Sequence, residues 1–144
     1  MIIVSACLAG VNCKYNGKNN FNKAIADMIS KGEAIPVCPE LLGGCPTPRL
    51  CCEIVGGTGK DVINGKAKVI NQEGKDMTEE FVKGAVEVLK IAKLSGANTA
   101  ILKSKSPSCG YGTIYDGTFS GKLIEGNGVT SELLLKNGIE VRSL

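Results

Sequence analysis

The chain has 144 residues, seven of them cysteine and 19 glycine, with no histidine and no tryptophan. Without histidine there is no Ser-His-Asp or Cys-His catalysis, no imidazole metal ligand and no histidine pH switch, so the chemistry falls to Cys, Asp, Glu, Lys, Tyr and Ser. A net charge of +3 spread along the chain, with aromatics at only 4%, gives neither the basic block nor the stacking platform of a nucleic-acid binder.

Ile2 to Ala6 is a short β-branched run that predicts a buried strand, emptying into a loop at Cys7-Leu8-Ala9-Gly10. Phe21 to Ser30 carries apolar residues at Ala24, Ile25, Met28 and Ile29, a helical rhythm stopped by Gly32. Ala34 to Val37 reads as a second strand cut off by Pro39, and Gly43 to Gly59, dense in Gly, Pro and Cys, as loop. Within it, Gly56-Gly57-Thr58-Gly59-Lys60 lacks the spacing of a phosphate loop and reads as a turn with no strand-to-helix setting. Lys68 to Ile70 predicts a small strand turning at Asn71 to Gly74.

Thr78 is a good N-cap, Glu79 and Glu80 complement the helix dipole, and Phe81, Ala85, Leu89 and Ala92 continue one apolar face to about Leu94. Thr99 to Leu102 predicts a third apolar strand, followed by a polar loop from Lys103 to Gly110 that holds Cys109. Tyr115 to Thr118 reads as a tight turn. Thr130 is expected to cap a short helix through Lys136, ended by Asn137-Gly138, with a last strand from Ile139 to Arg142.

Short, continuously apolar strands alternating with helices predict an α/β sandwich with a mostly parallel sheet, Rossmann-like or flavodoxin-like, as a single domain over residues 1–144. Met1 to Val4 runs into Ser5 with no signal-peptide pattern, and no stretch approaches a membrane span, so the expected compartment is the cytoplasm. An odd number of cysteines in a reducing compartment favours metal binding or thiol chemistry over a disulfide framework.

Three cysteines occupy equivalent places: Cys7 follows the first strand, Cys38 ends the second, and Cys109 lies in the loop after the third. In an open parallel sheet these loops share the edge where ligands bind. Successive separations of 31 and 71 residues mean that only the fold gathers them. Three thiolates without imidazole suit a soft metal, as an iron–sulfur cluster, zinc or copper(I), and a site one ligand short accepts substrate. Glu40, two residues past Cys38, and the hydroxyls around Cys109 put proton donors and acceptors beside such a site.

The segments SACLAG (Ser5 to Gly10), PVCPELLGGCPTPR (Pro36 to Arg49), ILKSKSPSCG (Ile101 to Gly110) and IYDGTFSGKLIEGNGVT (Ile114 to Thr130) resemble, in order, the family long filed as domain of unknown function 523, which includes the bacterial thiouracil desulfidases. The resemblance implies a [4Fe-4S] cluster held by three cysteines, here Cys7, Cys38 and Cys109. Its fourth iron is open to the sulfur of a thiolated base, and the cluster is lost or exchanged for zinc when the protein is prepared in air. The family's acid/base pair falls on Glu40 and Ser106, and Lys103 and Ser108 are expected against the substrate. The implied reaction is a non-redox desulfuration of a thiolated pyrimidine or similar small thiocarbonyl compound, releasing sulfide.

Cys13, Cys45, Cys51 and Cys52 have no role in this scheme. Cys13 reads as a packed thiol, and the three in the Gly43 to Gly59 loop as unliganded before a second metal site. Two alternatives stand beside the desulfidase: a metal-free sulfur-transfer or redox protein using a low-pKa Cys109 near Lys103 or Lys105, and a zinc-stabilised binding module without catalysis.

Overall fold

The structure, a computed structural model, describes residues 1–144. Strand β1 (Ile2–Ser5) is central to a four-stranded, wholly parallel sheet in the order β2-β1-β5-β8, where β2 is Ala34–Val37, β5 is Thr99–Leu102 and β8 is Glu140–Ser143. Its two faces explain the unbroken apolar runs. Ile3 packs with Val88, Ala92 and Leu134 from helices α4 (Thr78–Ser95) and α5 (Val129–Lys136), while Val4, pointing oppositely, packs with Ile25 of α1 (Lys23–Ser30). The expected α/β architecture with a mostly parallel sheet is the one observed.

Asn22 caps α1, its side chain accepting from the Ala24 and Ile25 amides, so the helix begins two residues later than the periodicity suggests. Thr78 is the first residue of α4 rather than its cap. Asp76 accepts from the Thr78 amide, and the Thr78 hydroxyl accepts from Val69 N at 3.0 Å, tying the helix to strand β4 (Lys68–Asn71). Gly128 stands at the N-cap of α5, which leaves Thr130 fully buried inside the helix instead of capping it.

The segment expected as loop is more ordered than its composition suggests. Cys52–Val55 forms β3, antiparallel to β4 with Cys52 opposite Asn71, and Gly59–Ile63 forms a one-turn helix, α3, closed by a Thr58–Asp61 capping box. The glycine-rich turn therefore does run from strand to helix, contrary to expectation, but its Thr58 N–H is satisfied by Asp61. A second core fills the space under β3–β4 with Ile54, Val69, Phe81, Ala85 and Ile114. Tyr115 ends β6 (Thr113–Tyr115), which pairs with β7 (Leu123–Glu125) in an antiparallel hairpin, so the expected tight turn is a longer loop from 116 to 122.

Helix α2 (Pro39–Leu42) follows β2 at once and lies directly on the backbone of α4. A Cβ at Gly84 would overlap the Pro39 carbonyl, and one at Gly43 would overlap the Glu80 carbonyl. Only glycine permits this approach, and it sets the height of α2 above the sheet edge. No helix is long and apolar enough to cross a membrane.

Candidate functional site

The order β2-β1-β5-β8 reverses direction between β1 and β5, and a crevice opens at that switch point, outside the carboxyl ends of the strands. It is a cavity of about 510 Å³. Cys7 enters from the 3-10 turn Ala6–Ala9 that continues β1, Cys38 from the junction of β2 and α2, and Cys109 from the tight turn after β5. The neighbouring strands β2, β1 and β5 thus bring together three thiols far apart in sequence.

Each thiol is held. Asn20 Nδ2 donates to Cys7 Sγ at 3.6 Å. Cys38 Sγ lies 3.9 Å from the Cys13 carbonyl oxygen. The Cys109 amide donates to Ser106 Oγ at 2.7 Å, and its carbonyl accepts from Ser131 Oγ at 2.7 Å, locking the Ser106–Gly110 turn onto α5. Burial pushes the Cys7 and Cys109 thiols up, while a hydrogen bond from Cys13 holds Cys38 below the usual thiol range and raises Cys13 in return. Burial, with Glu40 nearby, pushes Cys109 up rather than down, the opposite of the low-pKa thiol that the metal-free alternative needs.

Glu40, on α2, lines the cavity with its side chain mostly covered. Oε1 accepts from Ser108 Oγ at 2.7 Å and Oε2 from Arg49 Nη2 at 3.4 Å. Arg49 is nearly buried and also donates to the carbonyls of Cys13 and Pro46 and to Thr47 Oγ1, so one guanidinium ties Glu40 to the turn that carries Cys13. Ser106 lines the cavity, with its hydroxyl 3.4 Å from that of Ser108. Lys103 also lines it, its amide donating to Ser5 Oγ and its ammonium to Ser104 Oγ.

Ser108 differs from expectation. It is fully buried and does not line the cavity; its hydroxyl lies behind the wall, on Glu40 and 3.6 Å from Cys109 Sγ. Its shortest hydrogen bond, to Glu40, places this buried hydroxyl to orient the carboxylate. Sequence reasoning missed Arg49 and Asn20. Arg49 closes the PTPR motif, but no periodicity links it to Glu40.

Of the remaining cysteines, Cys13, Cys51 and Cys52 line the same cavity, and only Cys45 is sealed away from it. Burial raises Cys45 to about 11 and Cys52 to about 12. No three Cys, Asp or Glu side chains converge as a single-ion site requires. Three cysteines from separate strand ends on one cavity, with no imidazole in the chain, are a donor set compatible with an iron–sulfur cluster.

The 2-thiouracil desulfurase family model matches residues 2–143. An uncharacterised protein of Bacillus subtilis (strain 168), YbbK, is 50% identical over 143 residues, covering 99% of this chain and 95% of that protein. The solved structure of the [4Fe-4S]-dependent thiouracil desulfidase TudS superposes with a TM-score of 0.87 at 39% identity, over 99% of this chain and 89% of that one. A cavity rimmed by three strand-end thiols and a braced carboxylate, within a match that runs nearly from end to end, places the chain in the 2-thiouracil desulfurase family.

Proposed function

We propose that this protein is a [4Fe-4S]-dependent desulfidase that converts the thiocarbonyl of a thiolated pyrimidine to a carbonyl, one water entering and one sulfide leaving with no net redox change. The observation that carries this reading is the meeting of Cys7, Cys38 and Cys109 with Glu40 and Ser106 in one cavity at the switch point. When bound by those three thiolates, the cluster supplies a soft, Lewis-acidic iron lacking one protein ligand, which favours thiocarbonyl sulfur over carbonyl oxygen.

The chain's own groups handle the protons. Glu40 is the base that takes a proton from the attacking water, its carboxylate aimed by Ser108 and Arg49 so that neither oxygen swings away from the cavity. Ser106 accepts the Cys109 amide, and because Ser108 gives its one proton to Glu40, the Ser106 hydroxyl is the donor of the serine pair. The Ser106, Ser108 and Glu40 oxygens, at 3.4 and 2.7 Å, form a hydroxyl relay between cavity and carboxylate. Lys103 supplies positive charge beside the ring being attacked. Cys13 supports Cys38 as a hydrogen-bond partner rather than as a ligand. Seven unpaired cysteines agree with a reducing compartment, and we assign the protein to the cytoplasm.

The test is anaerobic reconstitution with iron and sulfide, followed by assay of sulfide release from 2-thiouracil and 4-thiouracil. The expected result is about four irons per chain and sulfide release that stops on Glu40→Gln. Cys7→Ala, Cys38→Ala and Cys109→Ala are each expected to lose iron, whereas Cys45→Ala and Cys51→Ala retain it. Unchanged iron in the first three variants overturns the ligand assignment, and no sulfide from the loaded wild type overturns the activity.

A further inference from the structure

Two residues other than glycine adopt left-handed backbone, Lys105 at φ 71° and Phe119 at φ 55°, and both line the cavity of the three thiols. For a bulky residue such as Phe this conformation is unfavourable and persists only where the surroundings impose it. Phe119 sits in the loop between β6 and β7, and what imposes its backbone is visible. Glu53, a buried carboxylate on β3, accepts from the amides of Gly117 at 2.9 Å and Phe119 at 3.2 Å through the same oxygen. Gly117 lies flat on β3, where an added Cβ would meet the Ile54 carbonyl oxygen at 2.5 Å. Thr118 Oγ1 closes the turn on Asp116 and Ser120, at 2.6 Å each.

The loop is therefore braced from the β3 side, although β7 beyond it is exposed along its length. Its one apolar side chain is left half-buried against the cavity. The core does not claim this ring: Phe81, also at the cavity, belongs to the packed cluster under β3–β4, and Phe119 does not.

A soft iron selects a thiocarbonyl but is indifferent to what carries it, so selection of a ring needs a separate apolar surface. We infer that Phe119 is the ring-recognition residue, stacking on the flat face of a thiolated heterocycle, with Glu53 as the positioning residue that holds the loop. This rests on the desulfidase reading and adds the source of substrate specificity: cyclic, planar thiocarbonyl compounds over acyclic ones such as thiourea.

The experiment uses cluster-loaded protein and two readouts, steady-state kinetics with 2-thiouracil and thiourea, and equilibrium dialysis of uracil, which offers the same ring with no thiocarbonyl to turn over. Phe119→Ala is expected to raise KM for 2-thiouracil about tenfold, with a much smaller change in kcat and little change for thiourea, and to weaken uracil retention similarly, in line with base–aromatic stacking. Phe119→Leu, which keeps bulk without a π face, is expected to lose the ring preference, and Phe119→Trp to keep it. Glu53→Ala is expected to reproduce the KM effect, and Glu53→Gln, which retains a carbonyl acceptor, to restore most of it.

Full ring preference in Phe119→Leu, or equal effects of Phe119→Ala on 2-thiouracil and thiourea, overturns the inference. A wild type that releases no sulfide but whose uracil binding falls on Phe119→Ala overturns the desulfidase reading and leaves the ring-recognition residue standing.

Discussion

Ser108 Oγ donates to Glu40 Oε1 at 2.7 Å, joining the turn after β5 to the helix after β2 across 68 positions of sequence. Because Ser108 is wholly buried, this bond cannot be replaced by solvent. Ser108→Ala leaves Glu40 with only the longer contact to Arg49 and breaks the hydroxyl relay. The expected outcome is unchanged iron content and a fall in kcat for 2-thiouracil of about tenfold, the scale of one well-aligned hydrogen bond, measured by anaerobic sulfide release.

Arg49 is expected to matter for stability as well as orientation. The Arg49 and Glu40 side chains are 9% and 15% exposed, and removing one member of a largely desolvated pair strands the other. Arg49→Ala should lower unfolding free energy by about 3 kcal/mol in urea titrations. Arg49→Lys should recover less than half of that, since an ammonium cannot serve Cys13, Pro46 and Thr47 from one rigid fork.

Gly84→Ala offers a prediction whose sign is opposite to helix propensity. In the interior of an exposed helix the change stabilises by about 0.5–1 kcal/mol. Here the new methyl meets the Pro39 carbonyl and must push α2, with Glu40 on it, away from the sheet edge. Overpacking of this kind costs about 1–3 kcal/mol, so the melting temperature should fall and turnover with it.

Cys45 and Cys52 should make the metal-free protein sensitive to alkali. Burial raises both thiols above the free value of 9.0, to about 11 and about 12, so the folded state keeps protons that the unfolded chain has released. Their contribution to stability is therefore complete below pH 9 and is lost as pH rises toward 11 and then 12. Urea titrations across that range should show a falling midpoint, and Cys45→Ala should flatten the part below pH 11.

The alternation of apolar runs with helical periodicity was enough to read the strands β1, β2, β5 and β8 and helices α1, α4 and α5, because each follows a local pattern that burial on one or two faces imposes. The same reading put Cys7, Cys38 and Cys109 at strand ends, and the absence of histidine left thiols and carboxylates as the only candidates for the chemistry. Neither pattern carries information about strand order, and it is the adjacency of β2, β1 and β5 that turns three strand ends into one rim. Strand β3 was illegible since Cys52–Val55 sits among turn-forming residues and is held by antiparallel pairing with β4 across the intervening α3. Side-chain direction was equally out of reach. That Ser108 faces Glu40 and not the cavity, and that Arg49 and Glu53 brace groups distant in sequence, follow from packing of α2 on Gly84 and of the 116–122 loop on β3, close approaches that no local periodicity encodes.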